Sequence, residues 1–289
     1  MGVDSLTDYY SVDLKRRNLA KIADSPDFVF VEADLLQIDL VSLLADIDVV
    51  FHQAGQPGVR KSWGADFSIY TRANVDVTQK LLEAATSAPR LKRFVYASSS
   101  SVYGDAERFP TTEVERPMPV SPYGVTKLAA EHLCTLYAKN FDLPTVSLRY
   151  FTVYGPGQRP DMAFTRFVRA VVENEPVTIY GTGEQIRDFT FIDDVVEANV
   201  LAASVDSTPG SIFNVAGGSS VSVNEVLETL SVLSGLPVRA HRIERALGDV
   251  FRTGGSTTAI SEQLGWTPAV GIEEGLRRQL AWGQEVFAR

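Results

Sequence analysis

A single cysteine, Cys134, stands among 289 residues, so an internal disulfide is excluded and a reducing cytoplasm suits the chain. No motif surrounds Cys134, and a small apolar residue on a helix describes it better than a nucleophile. Basic residues are outnumbered: the net charge of −9 argues against non-specific binding to nucleic acid or to an anionic membrane. It leaves room for an anionic small ligand, because a few local arginines can hold one inside an acidic protein. No apolar run approaches the ~20 residues that a membrane span needs, and no signal peptide opens the chain. No metal site is expected.

What is present describes an ordinary globular protein, 45% apolar and 22% charged. Short β-branched runs at Phe28-Val29-Phe30-Val31, Val49-Val50-Phe51-His52, Arg93-Phe94-Val95-Tyr96-Ala97 and Thr145-Val146-Ser147-Leu148-Arg149 read as strands. Amphipathic stretches such as Asn74 to Ala85 and Tyr123 to Asn140 lie between them. Strands alternating with helices imply βαβ units and a parallel sheet, and continuous apolar strands imply a sheet covered on both faces. From about Pro156, Gly-rich punctuation such as Gly181-Thr182-Gly183 and Gly217-Gly218 marks a loop-rich lobe. The expected fold is therefore α/β, a doubly wound parallel sheet over residues 1–155 with a smaller α/β lobe over 156–289. Some chain of the lobe crosses back to the sheet, and a ligand cleft lies between the two.

One expected piece is absent. A dinucleotide site on such a sheet normally opens with a strand, a glycine-rich turn and a helix N-terminus for the pyrophosphate. Gly55-Gln56-Pro57-Gly58 and Gly155-Pro156-Gly157 do not supply that pattern. The opening Met1-Gly2-Val3-Asp4 reads as the end of a second strand, so the first βα unit is expected to be missing from the chain as written. Asp4 would then be the acid that takes the ribose hydroxyls. Taken alone, it is an ordinary surface aspartate.

The sharpest local signal is Tyr123-Gly124-Val125-Thr126-Lys127. Residues four apart share a helix face, so the phenol and the ammonium can approach one ligand together. Alone, the spacing is equally that of a plain amphipathic helix. Upstream, Ala97-Ser98-Ser99-Ser100-Ser101-Val102-Tyr103-Gly104 follows an apolar strand directly. Hydroxyls at a strand's carboxyl end face the crevice where open α/β sheets bind ligands, although a serine-rich turn is common in its own right. Strand, serine cluster and Tyr-x-x-x-Lys together are much rarer.

With these landmarks the chain resembles the extended short-chain dehydrogenases, specifically the NAD-dependent nucleotide-sugar epimerases and dehydratases. The resemblance runs through His52-Gln53-Ala54-Gly55, Asn74-Val75, Ser99 with Tyr123 and Lys127, and Leu148-Arg149-Tyr150-Phe151-Thr152-Val153-Tyr154-Gly155. It continues in Arg187-Asp188-Phe189, Asp193-Asp194-Val195, Phe213-Asn214-Val215 and Gly265-Trp266. It implies Tyr123 as the base, with a pKa lowered by Lys127 and an oxidised nicotinamide, and Ser99 on the sugar's 4-oxygen. It implies that Asp4, Asp34, Ala54, Gly55, Asn74, Tyr150 and Val153 line an NAD site with Tyr123 and Lys127. Arg187 would meet the diphosphate, unless it only pairs with Asp188 or Asp194, and Arg252 would join the substrate set.

Within that family, the 4,6-dehydratases resembling this chain carry Asp-Glu after the hydroxyl residue, and the UDP-glucuronate decarboxylases usually carry Ser-Glu. Ser100-Ser101 offers neither carboxyl group, which leaves epimerisation. Gly157-Gln158-Arg159-Pro160-Asp161-Met162-Ala163 resembles the loop of UDP-glucuronate 4-epimerases, as do Thr152 and Arg60. Arg159 and Thr152 would hold the C6 carboxylate, unless Arg159 is simply a loop residue. The reaction implied is UDP-glucuronate to UDP-galacturonate, in a cytoplasmic homodimer. A UDP-glucose or UDP-N-acetylhexosamine 4-epimerase, a dehydratase or decarboxylase, a net oxidoreductase and a non-catalytic sugar binder remain alternatives.

Overall fold

The computed structural model describes residues 1–244, Gly248 and residues 250–288. The chain begins with β1 (Gly2–Asp4), α1 (Val12–Ala20), β2 (Phe30–Glu32), α2 (Leu40–Leu44) and β3 (Val49–His52). α3 (Phe67–Tyr70) runs through a π-helical segment, Thr71–Asp76, into α4 (Val77–Ala85), followed by β4 (Arg93–Ser99), α5 (Pro122–Phe141), β5 (Thr145–Tyr150) and β6 (Thr152–Tyr154). Then come α6 (Ala163–Val172), β7 (Val177–Tyr180), β8 (Ile186–Phe191), α7 (Ile192–Ser204) and β9 (Ser211–Val215). β10 (Ser220–Ser222), α8 (Val223–Ser234), β11 (Ala240–Ile243), α9 (Thr258–Leu264) and α10 (Ile272–Phe287) complete the described elements.

The central sheet has the order β3-β4-β5-β9, and all its pairs are parallel. Phe94, Val95, Val146, Leu148, Phe213 and Val215 are buried in it. Burial of both faces explains the unbroken apolar runs, and each such side chain contributes about 1.5–3 kcal/mol. β9 comes from beyond residue 156 and joins this sheet beside β5. Trp266, just after α9, packs below β5 and β9 and donates its indole N–H to the Asp194 carbonyl at 2.9 Å.

One local expectation needs correction. The strand expected at residues 28–31 starts two residues later, because the Phe28 amide closes a turn on the Ser25 carbonyl (3.1 Å). The α/β fold with parallel sheets is as expected, with β1 and β2 forming a parallel pair of their own apart from the central four strands. Two further sheets, β10-β8-β6 and β11-β7, take all their strands except β6 from beyond residue 156. Their core sets the Tyr154 ring edge-on to Phe164 and Phe191, with Phe164 tilted against Phe189, and shares one cluster with apolar residues of α8 and α10.

Candidate active site

β4 ends at Ser99, whose hydroxyl accepts the Ser101 amide at 3.1 Å and caps a 3-10 turn over Ser100–Val102. α5 begins opposite that turn. Ser121 caps it by accepting the Gly124 amide at 3.1 Å, and Pro122 occupies the first turn, where its missing N–H is harmless. Tyr123 and Lys127 therefore share the first helical face, beside Ser99.

Gly124 makes this approach possible. A Cβ at that position would stand 2.5 Å from the Ser101 carbonyl oxygen, so turn and helix would have to separate. Gly124→Ala is expected to lower kcat about tenfold or more through misplacement of Ser99 against Tyr123, with the protein still folded by circular dichroism. An unchanged kcat would show that the spacing of turn and helix is not critical.

Burial pushes the Tyr123 phenol above its ordinary value, and a hydrogen bond with Ser99 and the Arg159 guanidinium pull it back without cancelling the rise. Among the protein's own groups, desolvation is the larger effect on the phenol. Lys127 is itself brought down to about 8 by burial, against the opposing influence of Cys134 and Glu131. Its ammonium lies 4.6 Å from the centre of the Tyr96 ring. Next to it, burial and the Lys127 charge hold His52 neutral, at about 3, with Nε2 2.8 Å from the Thr78 hydroxyl.

A cavity of about 570 Å³ opens at the carboxyl ends of β1, β2 and β3. Asp4, Asp34, Ala54, Gly55 and Arg159 are on its wall. The Asp4 carboxylate accepts the Leu6 amide at 2.6 Å. That of Asp34 accepts the Leu36 amide at 2.9 Å and the Arg72 guanidinium at 2.8 Å, which together hold it below the usual carboxylate range. Asn74 frames the wall from behind: Oδ1 accepts the Gln56 amide at 2.7 Å, and Nδ2 donates to the Gln56 carbonyl and the Thr126 hydroxyl. A side chain at Gly55 would meet that Oδ1 at 2.8 Å. Tyr150 is turned toward Gln53 and Asn199, its hydroxyl 2.8 Å from Asn199 Oδ1, and Val153 is half-buried on β6.

These residues fit two parts of a dinucleotide. The acids at the ends of β1 and β2 suit an adenosine, and Tyr123 with Lys127 suits a nicotinamide ribose. No Gly-x-x-Gly-x-x-Gly or Gly-x-Gly-x-x-Gly spacing occurs in the 289 residues.

The arginines divide into two groups. Arg159 reaches the cavity and the surroundings of Tyr123, but its fork is closed on Asp161 by bonds of 2.9 and 3.0 Å. Asp161 also faces the Tyr9 hydroxyl at 3.5 Å. Arg60, Arg187 and Arg252 make contacts of other kinds. The Arg60 guanidinium is 3.9 Å from the centre of the Tyr180 ring, and that of Arg252 is 4.6 Å from the Phe109 ring. Arg187 donates to the carbonyls of Ile186, Val250 and Phe251. Neither carboxylate weighed as its partner takes it. Asp188, raised to about 6 by burial, accepts the Gly217 and Gly255 amides, and Asp194 accepts those of Ala269 and Val270. Ser100 sits in the 3-10 turn, and Thr152 opens β6 opposite Phe189, half-buried.

Sequence reasoning missed a buried chain beneath the site. Ser98 donates to Glu131 at 2.6 Å, Glu131 is doubly bonded to Arg149, and Arg149 continues to the Tyr103 hydroxyl, which donates to Asn214. The available signal was Glu131 four residues beyond Lys127, on the same helix face.

A parallel sheet whose strand end carries a serine turn against a Tyr-x-x-x-Lys helix defines an extended short-chain dehydrogenase fold. The chain belongs to the NAD dependent epimerase/dehydratase family, whose profile matches residues 5–216. A protein of Bacillus subtilis described as an uncharacterized UDP-glucose epimerase, YtcB, is 38% identical over 287 residues, 99% of this chain and 90% of that protein. A UDP-glucuronate 4-epimerase of Thermodesulfobacterium geofontis is 34% identical, covering 99% of this chain and 88% of its own. The crystal structure of UDP-glucuronic acid 4-epimerase from Bacillus cereus with UDP-glucuronic acid and NAD superposes with a TM-score of 0.95 at 40% identity, over 99% of this chain and 90% of that one. Among the described residues, no helix is long and apolar enough to cross a membrane.

Proposed function

We propose that the protein is an NAD-dependent epimerase that inverts C4 of a UDP-sugar, converting UDP-glucuronate to UDP-galacturonate. The observation that carries this reading is the placing of Ser99, Tyr123 and Lys127 together at the carboxyl end of β4, with Ser100 and Ser101 rather than carboxylates beside them. Such a site has a base for one alcohol and no additional acid–base pair to expel water. The relatives from Bacillus cereus and Thermodesulfobacterium geofontis support UDP-glucuronate as the sugar.

Tyr123 takes the proton of the C4 hydroxyl while C4 is oxidised, and Ser99 donates a hydrogen bond to the 4-oxygen. NAD, when bound, supplies the hydride acceptor and donor, and a positive charge beside the phenol. Lys127 stabilises the phenolate and holds the nicotinamide ribose, offsetting the burial that raises the phenol. Asp4, Asp34, Ala54 and Gly55 would hold the adenosine half, and Arg60, Arg187 and Arg252 the diphosphate side of the sugar nucleotide. After the 4-keto sugar presents its other face, Tyr123 returns the proton. That intermediate is a β-keto acid, so Arg159 and Thr152 must keep its carboxylate out of line for loss of carbon dioxide. The unit acts in the cytoplasm as a homodimer, and the exposed apolar Val125, Leu136 and Phe141 of α5 support the pairing.

Proton NMR of the product decides the reaction. Turnover of UDP-glucuronate with NAD is expected to yield the C4-inverted sugar without net NADH. A pentose product would assign a decarboxylase, and a dehydrated 6-deoxy-4-keto sugar from a hexose a dehydratase. The neutral-hexose epimerase is the second reading. It is favoured by the Bacillus subtilis relative and by the closed Arg159–Asp161 fork, which leaves the arginine already satisfied.

A further inference from the structure

The buried pair Glu131–Arg149 lies directly beneath the catalytic groups. Both side chains are almost fully enclosed (1% and 3% exposed), and the Arg149 Nη2 to Glu131 Oε1 distance is 2.7 Å. A buried pair of this kind is weak as a source of stability, since desolvation of both ions offsets their attraction. Its connections are more telling. Glu131 stands one helical turn after Lys127 on α5, and Oε2 accepts the hydroxyl of Ser98, the neighbour of Ser99, at 2.6 Å. Arg149 precedes Tyr150 and pairs in register with Ser98 across β4 and β5. One carboxylate thus stands a helical turn from the lysine of the site and accepts from the strand that ends in its serine.

We propose that Glu131, anchored by Arg149, is a positioning residue that keeps Lys127 in its ammonium form and the Ser99 turn in register for the sugar. This rests on the epimerase reading of the same site. Among the described residues, the groups around Lys127 are His52 from β3, Tyr96 from β4, and Tyr123, Cys134 and Glu131 on α5, with Arg149 of β5 on Glu131 and Tyr70 of α3 against the Tyr123 ring. His52 is neutral, and the Tyr96 phenol and the Cys134 thiol are both pushed up by burial. Cys134 and, as the carboxylate among the described residues, Glu131 oppose the desolvation of Lys127, and without Glu131 the ammonium gives up its proton at lower pH.

Glu131→Gln tests this, because it keeps the volume and removes the charge. The Lys127 titration, followed by NMR of isotopically labelled lysine, is expected to move from about 8 to lower pH by roughly one unit or more. The alkaline limb of the kcat profile is expected to move with it. Turnover would fall about tenfold at pH 8 and recover to within roughly threefold of wild type near pH 6.5, which a purely structural defect does not produce. If Glu131→Gln does not fold, Glu131→Met/Arg149→Met, which leaves neither charge buried alone, carries the same test. A Lys127 titration at the wild-type position in either folded variant overturns the proposal, and so does a loss of turnover equal at all pH values. Wild-type turnover of UDP-glucuronate is measured alongside. Its absence would count against the epimerase reading, whereas the lysine titration judges Glu131 in either case.

Discussion

Tyr123→Phe is expected to leave the fold intact and to lower turnover of UDP-glucuronate by about 10²–10⁴-fold, the range for loss of a general base. The substitution removes one oxygen and little volume. That oxygen shares its hydrogen bond with Ser99 at the carboxyl end of β4, the point at which ligands enter sheets of this kind. Circular dichroism and product formation measured on one preparation separate misfolding from lost chemistry. Because burial raises the phenol, the wild-type rate should also climb with pH until Tyr123 ionises, and Lys127, at about 8, limits that climb from the alkaline side. Activity of Tyr123→Phe within about tenfold of wild type would remove Tyr123 from the role of base.

Arg159→Ala is expected to reduce kcat/KM for UDP-glucuronate by about thirtyfold and to change UDP-glucose little. A charge-assisted pair to a buried carboxylate is typically worth about 2–5 kcal/mol on truncation of one partner. The lower end applies here, because the Arg159 fork already holds Asp161 and the substrate carboxylate must take over those bonds. About 2 kcal/mol corresponds to the thirtyfold change. The two sugars differ at C6, so comparing kcat/KM on both isolates the carboxylate. Equal losses on the two sugars would mean that Arg159 serves the loop through Asp161, and the neutral-hexose reading would gain.

Much of this arrangement was legible in the residues because it is local. β3 has the limits that its apolar run suggests, and β4 and β5 extend theirs by only a residue or two. The helix bearing Tyr123 starts at a Ser-Pro pair that announces a helix N-terminus. Features that depend on distant partners were not legible. The helix expected from Asn74 opens in a π-helical segment, in which Asn74 serves the Gln56 backbone and Thr126 at once. Arg187 is engaged by carbonyls more than sixty positions away, and the Arg159 fork is closed by a neighbour that the loop pattern alone does not single out. Glu131 and Arg149 are eighteen positions apart on different elements, and only the packing of α5 on β5 joins them. Periodicity reports which face of an element is buried, not which polar group is waiting there.

Isotope tracing at C4 tests the central claim most directly. UDP-glucuronate deuterated at C4 is mixed with an equal amount of UDP-glucuronate carrying ¹³C throughout the sugar and no deuterium, and the enzyme is supplied with NAD in ordinary water. Mass spectrometry of the inverted product is expected to find deuterium only in molecules without ¹³C, with no NADH accumulating, because the hydride leaves and returns within one bound sugar. Deuterium lost to solvent, deuterium scrambled into the ¹³C sugar, or stoichiometric NADH would contradict a reversible oxidation at C4 inside a closed site.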